Sequence, residues 1–127
     1  MDTEPPVRGI LIVDDDPLIR TTLSAALVTR GYRATAIADP GAGPADADPD
    51  AVLLDATIPG YSLSECIALL GRRADGSDRP ILVMSGSLTR PDELAGTGIA
   101  YLTKPIPLEE FFDAVEALVA STSGTET

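Results

Sequence analysis

The segment Ile10-Leu11-Ile12-Val13-Asp14-Asp15-Asp16-Pro17 sets four apolar residues in succession, then three carboxylates, then a proline. A short continuous apolar run bounded by turn formers is the pattern of a strand buried on both faces, as in a parallel sheet. Ala51-Val52-Leu53-Leu54-Asp55 repeats the pattern and closes on a lone carboxylate before the turn Ala56-Thr57-Ile58-Pro59-Gly60. Ligands of open α/β sheets bind beyond the carboxyl ends of the strands, at the topological switch point. Two strands that deliver carboxylates to that edge point to a metal site there.

Working outward, the first strand spans about residues 9 to 14 and leads into a helix over about 17 to 30. Asp16 is its N-cap, Pro17 its first position, and Leu18, Ile19, Leu23, Ala26 and Leu27 its apolar face, with Gly31 as the stop. Tyr32 to Ile37 forms a second strand. The stretch from Asp39 to Asp50 has little apolar periodicity and three prolines, so any helix there is short or frayed. Ser62 and Glu65 have capping-box spacing and announce a helix over about 63 to 73, with Leu63, Ile67 and Leu70 inward. Pro80 to Ser85 and Ile99 to Thr103 supply the fourth and fifth strands, with only a stunted helix near Pro91 to Ala95 between them. A last helix over about 107 to 119 carries Leu108, Phe111, Phe112, Val115 and Leu118 as its stripe, and Ser121 to Thr127 is a polar tail. Strand and helix alternate five times, which predicts a parallel sheet covered on both faces.

Composition narrows the chemistry. At 127 residues the chain has the length of one domain. No apolar run approaches the ~20 residues that span a bilayer, and the acidic start lacks the order of a signal peptide, which predicts a soluble cytoplasmic protein without membrane association. The single cysteine, Cys66, excludes an internal disulfide and reads as buried helix surface. A net charge of -11 argues against direct nucleic-acid binding, which runs on clustered Lys and Arg. The chain has no histidine, which excludes the usual triads and zinc sites, so any phosphohistidine chemistry must bring its histidine from another protein.

Over essentially its whole length the sequence resembles the receiver domain of two-component response regulators. The resemblance rests on Ile10 to Pro17, on Leu53-Leu54-Asp55 with Pro59, on Val83-Met84-Ser85-Gly86, and on Tyr101-Leu102-Thr103-Lys104-Pro105, in this order and spacing. It implies a flavodoxin-like, doubly wound sheet of five parallel strands in the order 2-1-3-4-5, here with shortened second and fourth helices. The receiver would occupy residues 9–120, flanked by an extension over 1–8 and the tail over 121–127. It further implies Mg²⁺, with Asp15 as direct ligand, Asp14 as a ligand largely through water, Asp55 as ligand and nucleophile, and the carbonyl of Thr57 as a further ligand. Oxygen-only ligands with open water positions suit that ion. Lys104 would neutralise phosphoryl charge from the other side, with a cis peptide before Pro105. Ser85 would donate to a phosphoryl oxygen, and its movement would let the Tyr101 aromatic swing, making the pair a switch. Thr57 and Ser87 occupy positions that tune attack by water. Asp16 reads as an N-cap only. The usual Asp-Gly after the proline loop is Ser62-Leu63 here, so that turn must be built differently.

The leading expectation is thus a phosphoacceptor that takes its phosphoryl group from a histidine kinase or histidine phosphotransfer protein and then changes its protein partners. It would not be a turnover enzyme, although its own residues would assist gain and loss of the group. Too few residues follow 120 for a helix-turn-helix, and Met1 with the polar tail favours a stand-alone module. Two alternatives differ in class. One is an interaction module that works without phosphorylation. The other is a phosphatase of the haloacid-dehalogenase type, since Asp14-x-Asp16, Ser85 and Lys104 imitate its first three motifs. That reading needs an acidic pair at a further strand end, whereas Glu109 and Glu110 open a helix, and it leaves Asp55 without a task.

Overall fold

A computed structural model describes residues 7–42 and 48–123. Five strands, β1 (Gly9–Val13), β2 (Arg33–Ile37), β3 (Ala51–Asp55), β4 (Ile81–Ser85) and β5 (Ala100–Thr103), form one parallel sheet in the order β2-β1-β3-β4-β5. Three helices cross between or follow them: α1 (Pro17–Thr29), α2 (Leu63–Leu70) and α3 (Leu108–Ser123).

The continuous apolar runs are explained by two cores, one on each face. Successive strand residues point to opposite faces, so Ile10, Ile12, Leu53, Leu82 and Met84 pack with Leu27 of α1 and with Phe111, Phe112 and Val115 of α3. Leu11, Val13, Val52, Leu54 and Val83 pack on the other face with Leu63, Cys66 and Leu70 of α2. Every residue of β1, β3 and β4 is buried, while the edge strands β2 and β5 are partly exposed. Full burial of one such aliphatic side chain is worth about 1.5–3 kcal/mol, so the central strands and the helix residues packed on them share the hydrophobic stabilisation.

Helix ends follow the local chemistry. Asp16 Oδ1 accepts from the Leu18 amide at 2.9 Å, capping α1. Ser62 and Glu65 form the reciprocal capping box, at 3.0 and 2.8 Å. α2 ends at Leu70, earlier than its apolar spacing predicts, with Gly71 as its C-cap: the Gly71 amide makes the last helical bond, to the Ile67 carbonyl at 2.8 Å. The final helix, by contrast, runs on to Ser123, as no glycine or proline interrupts it before Gly124.

Among the described residues, the second and fourth crossings each carry one 3₁₀ turn, Pro40–Ala42 and Asp92–Leu94. Residues 43–47, part of the stretch read as a short or frayed helix, lie outside the described residues, as do 1–6 and 124–127 of the two flanking segments. Beside β5, Ile67, Ile81, Ile99, Ala100, Leu102 and Leu118 line part of a cavity of about 740 Å³.

Two assignments to apolar faces are corrected. Leu18 is 70% exposed and Leu108 is 55% exposed. Each opens its helix among exposed neighbours, Asp16 and Pro17 in one case and Pro105 and Pro107 in the other, so helical phase alone does not bring it over the sheet.

Candidate functional site

Strand register assembles the site. Val13 pairs with Leu54, so the next residues, Asp14 and Asp55, leave adjacent strands side by side. Ser85 pairs with Thr103, and the Lys104 amide donates to the Ser85 carbonyl at 2.6 Å, which brings Lys104 to the same edge. Residues far apart in sequence thereby meet at the carboxyl ends of four strands.

Asp14, Asp15 and Asp55 each offer a carboxylate oxygen within 4.8 Å of the other two. Asp14 is 1% exposed and Asp55 7%, while Asp15 faces solvent. The Lys104 ammonium lies 3.0 Å from Asp14 Oδ2 and 3.3 Å from Asp55 Oδ1. The Lys104–Pro105 peptide is cis. Burial pushes the Asp55 carboxyl above its ordinary pKa; Lys104 opposes that and the charge of Asp14 adds to it. For Lys104 burial pulls down, but the hydrogen bond to Asp14 and the charges of Asp55 and Asp14 outweigh it and hold the ammonium above its ordinary value. Three carboxylates facing one ammonium leave a deficit of positive charge, and an all-oxygen set of this kind is what a hard divalent cation binds.

The turn after Asp55 is built on Pro59 and Gly60. The Tyr61 amide donates to the Ile58 carbonyl at 3.2 Å and Gly60 has φ 88°, as a type II turn requires at its third residue. This is how the chain turns with Ser62-Leu63 where Asp-Gly is usual. The Thr57 amide reaches toward Asp55 Oδ1 at 3.4 Å. Ser85, 7% exposed, accepts from the Ser87 amide through Oγ at 3.1 Å. The Tyr101 hydroxyl donates to the carbonyls of Ser87 and Thr89, the latter at 3.2 Å, tying β5 to the loop after Ser85. Between the two loops lies a cleft of about 550 Å³, lined in part by Thr57, Tyr61, Ser85, Ser87 and Arg90.

A family model described as the response regulator receiver domain matches residues 10–116. The chain belongs to this family of two-component signalling proteins. Among curated relatives, the receiver is 37% identical over 128 residues to the response regulator MprA of Mycobacterium sp. (strain KMS), covering 95% of this chain and 54% of that protein. It is 35% identical over 113 residues to the transcriptional regulatory protein TcrA of Mycobacterium tuberculosis (strain ATCC 25618 / H37Rv), covering 86% of this chain and 45% of that one. The chain therefore spans about half the length of the curated relatives it matches.

Solved structures show the same fold. The chemotaxis response regulator CheY4 of Vibrio cholerae superposes with a TM-score of 0.77 at 22% identity, covering 89% of the receiver and 99% of that chain. The receiver domain of a sensor histidine kinase from Pseudomonas aeruginosa PAO1, solved with magnesium coordinated in its active-site cleft, superposes at 0.75 with 24% identity, covering 91% and 99%. The flavodoxin-like order 2-1-3-4-5 that the resemblance implies is the order observed.

Two features of the receiver escaped the sequence. Arg20 Nη1 donates to the Asp14 carbonyl at 2.8 Å, and the Tyr61 hydroxyl donates to Asp39 Oδ1 at 2.7 Å, which holds that carboxyl below its ordinary range. An arginine inside an amphipathic helix carries no mark that distinguishes it from a solvated one. Cys66 is 1% exposed on α2, and burial pushes its thiol up. Glu109 and Glu110 are exposed at the start of α3. Among the described residues no helix is long and apolar enough to cross a membrane.

Proposed function

We propose that the protein is a phosphoacceptor whose Asp55 takes a phosphoryl group from a phosphohistidine on a histidine kinase or histidine phosphotransfer protein. The observation that carries this reading is the convergence of Asp14, Asp15, Asp55 and Lys104 at one strand edge. The absence of histidine from the chain agrees with a donor imidazole supplied in trans.

Asp14, Asp15 and Asp55, with the Thr57 carbonyl, would hold Mg²⁺. When bound, the ion supplies charge neutralisation for the phosphoryl oxygens. Asp55 attacks phosphorus, so that a P–O bond forms at its carboxylate as the donor's P–N bond breaks. Lys104 then exchanges part of its contact with Asp55 for a phosphoryl oxygen while remaining paired with Asp14. Ser85 gives up its role as acceptor for the Ser87 amide and donates its hydroxyl to another phosphoryl oxygen. That movement loosens the loop to which Tyr101 is tied, and the group's charge of about −2 supplies the energy difference between the two states. Thr57 and Ser87, which flank the cleft, govern the approach of water. The receiver would comprise residues 9–120, with 1–8 before it and 121–127 after it, the first three of which continue α3. The response is a change of protein partner in the cytoplasm. Transcriptional roles named for the relatives belong to proteins about twice as long.

The test is incubation with acetyl phosphate and Mg²⁺ followed by intact mass measurement. The wild type should gain one phosphoryl group and Asp55→Asn none. Gain by both would move the site, and gain by neither would favour an interaction module that works unmodified.

A further inference from the structure

Resting on the reading of Asp14, Asp15 and Asp55 as a Mg²⁺ site, we infer that Arg20 is a positioning residue for the ion, aiming the Asp15 carboxylate by holding the peptide that precedes it. Asp14 is held at each polar atom. Its amide donates to the Ile37 carbonyl at 3.2 Å, Oδ1 accepts from the Asp16 amide at 2.9 Å, Oδ2 accepts from Lys104 at 3.0 Å, and its carbonyl accepts from Arg20 Nη1 at 2.8 Å. Asp15 is the opposite case. It is exposed, and among the described residues its carboxylate has no hydrogen bond or ion pair.

An aspartate carboxylate without a side-chain tether is confined to the few rotamers about its Cα–Cβ bond, and the origin and direction of that bond are set by the peptides on either side. Both are pinned here. The Asp14 carbonyl is fixed by Arg20 and the Asp16 amide by Asp14 Oδ1. Asp14 Oδ1 is part of the site itself, so Arg20 is the anchor brought from outside it, by the first turn of α1. Outer partners that orient a metal ligand typically change affinity by about 10–100-fold when removed.

Charge and geometry make opposite predictions, which gives the inference a sharp test. The guanidinium is a cation beside a cation site, so if its charge were all that mattered, removing it would tighten Mg²⁺ binding. If Arg20 positions Asp15, removing it weakens binding. Calorimetric titration of the full chain with MgCl₂ should give an affinity about tenfold lower for Arg20→Met and Arg20→Gln than for wild type. Arg20→Lys, whose ammonium can reach the same carbonyl, should recover part of the loss. Circular dichroism melts identify which variants are folded; should Arg20→Met not fold, Arg20→Gln decides. Unchanged or tighter binding in a folded neutral variant overturns the inference, provided wild type binds and Asp15→Asn does not. Wild type that takes up no Mg²⁺ overturns the metal site itself and the inference with it.

Discussion

Lys104 Nζ stands 3.0 Å from Asp14 Oδ2, closer than its 3.3 Å to Asp55, so the ammonium is anchored on the carboxylate that is not the proposed acceptor. Asp14 is 1% exposed and would otherwise bear a buried charge without a counter-ion. This geometry leaves Asp55 only partly neutralised and available to a phosphoryl group.

Replacing Lys104 by Met should therefore destabilise the metal-free protein by about 2 kcal/mol, the scale of a lost hydrogen bond to a charged group. The same change should tighten Mg²⁺ binding, as it removes a competing cation, while phosphorylation by acetyl phosphate falls. The folded-state pKa of Lys104 is raised, so its contribution is fully present below the unfolded value and is lost as pH rises through the folded one. Urea melts of wild type across the alkaline range should show that loss, and Lys104→Met should not.

Asp55 titrates in the opposite sense to most native carboxylates. Its folded pKa is raised, chiefly by burial, so the native state binds more protons than the unfolded chain between the two values. Stability from this group falls as pH climbs through that window, so ionised Asp55 weighs against the fold above it. Asp55→Asn should raise the metal-free midpoint at pH 7, by about 4 °C for each kcal/mol of relieved burial cost. The gain should vanish below the unfolded pKa, where both proteins carry a neutral side chain. Differential scanning fluorimetry at the two pH values, with EDTA present, reads this directly.

Arg79 provides a control at the other end of the sheet. It is 6% exposed, donates to the carbonyls of Pro49 at 2.9 Å and Leu70 at 2.8 Å, and pairs with Asp48. Arg79→Met would leave these acceptors without their donor at the amino ends of β3 and β4, at a cost of about 2–4 kcal/mol. Mg²⁺ affinity of the folded variant should stay within about twofold of wild type, since additivity holds for distant sites. Chemical denaturation and calorimetry together separate the two effects.

The apolar runs ending in Asp14 and Asp55 were legible because a strand buried on both faces needs no alternation, and few other structures use so short a continuous run. Caps at Asp16 and Ser62 were legible for a similar reason, as each satisfies amides within three residues of itself. Leu18 and Leu108 were misread because helical phase specifies a direction but not whether another element lies there.

What the sequence by itself determined is the local layer: which segments are strands, where the helices begin, and that acidic groups end two of the strands. Contacts of that kind span a few residues, and their free energies are set by neighbours in the chain. Only the tertiary structure decided that the Lys104 ammonium reaches Asp14 before Asp55, that Arg20 grips the Asp14 carbonyl, and that Arg79 closes the far edge. Those distances depend on strand register and on helix seating over the sheet, which emerge from packing of the whole core and leave no periodic trace in the order of residues.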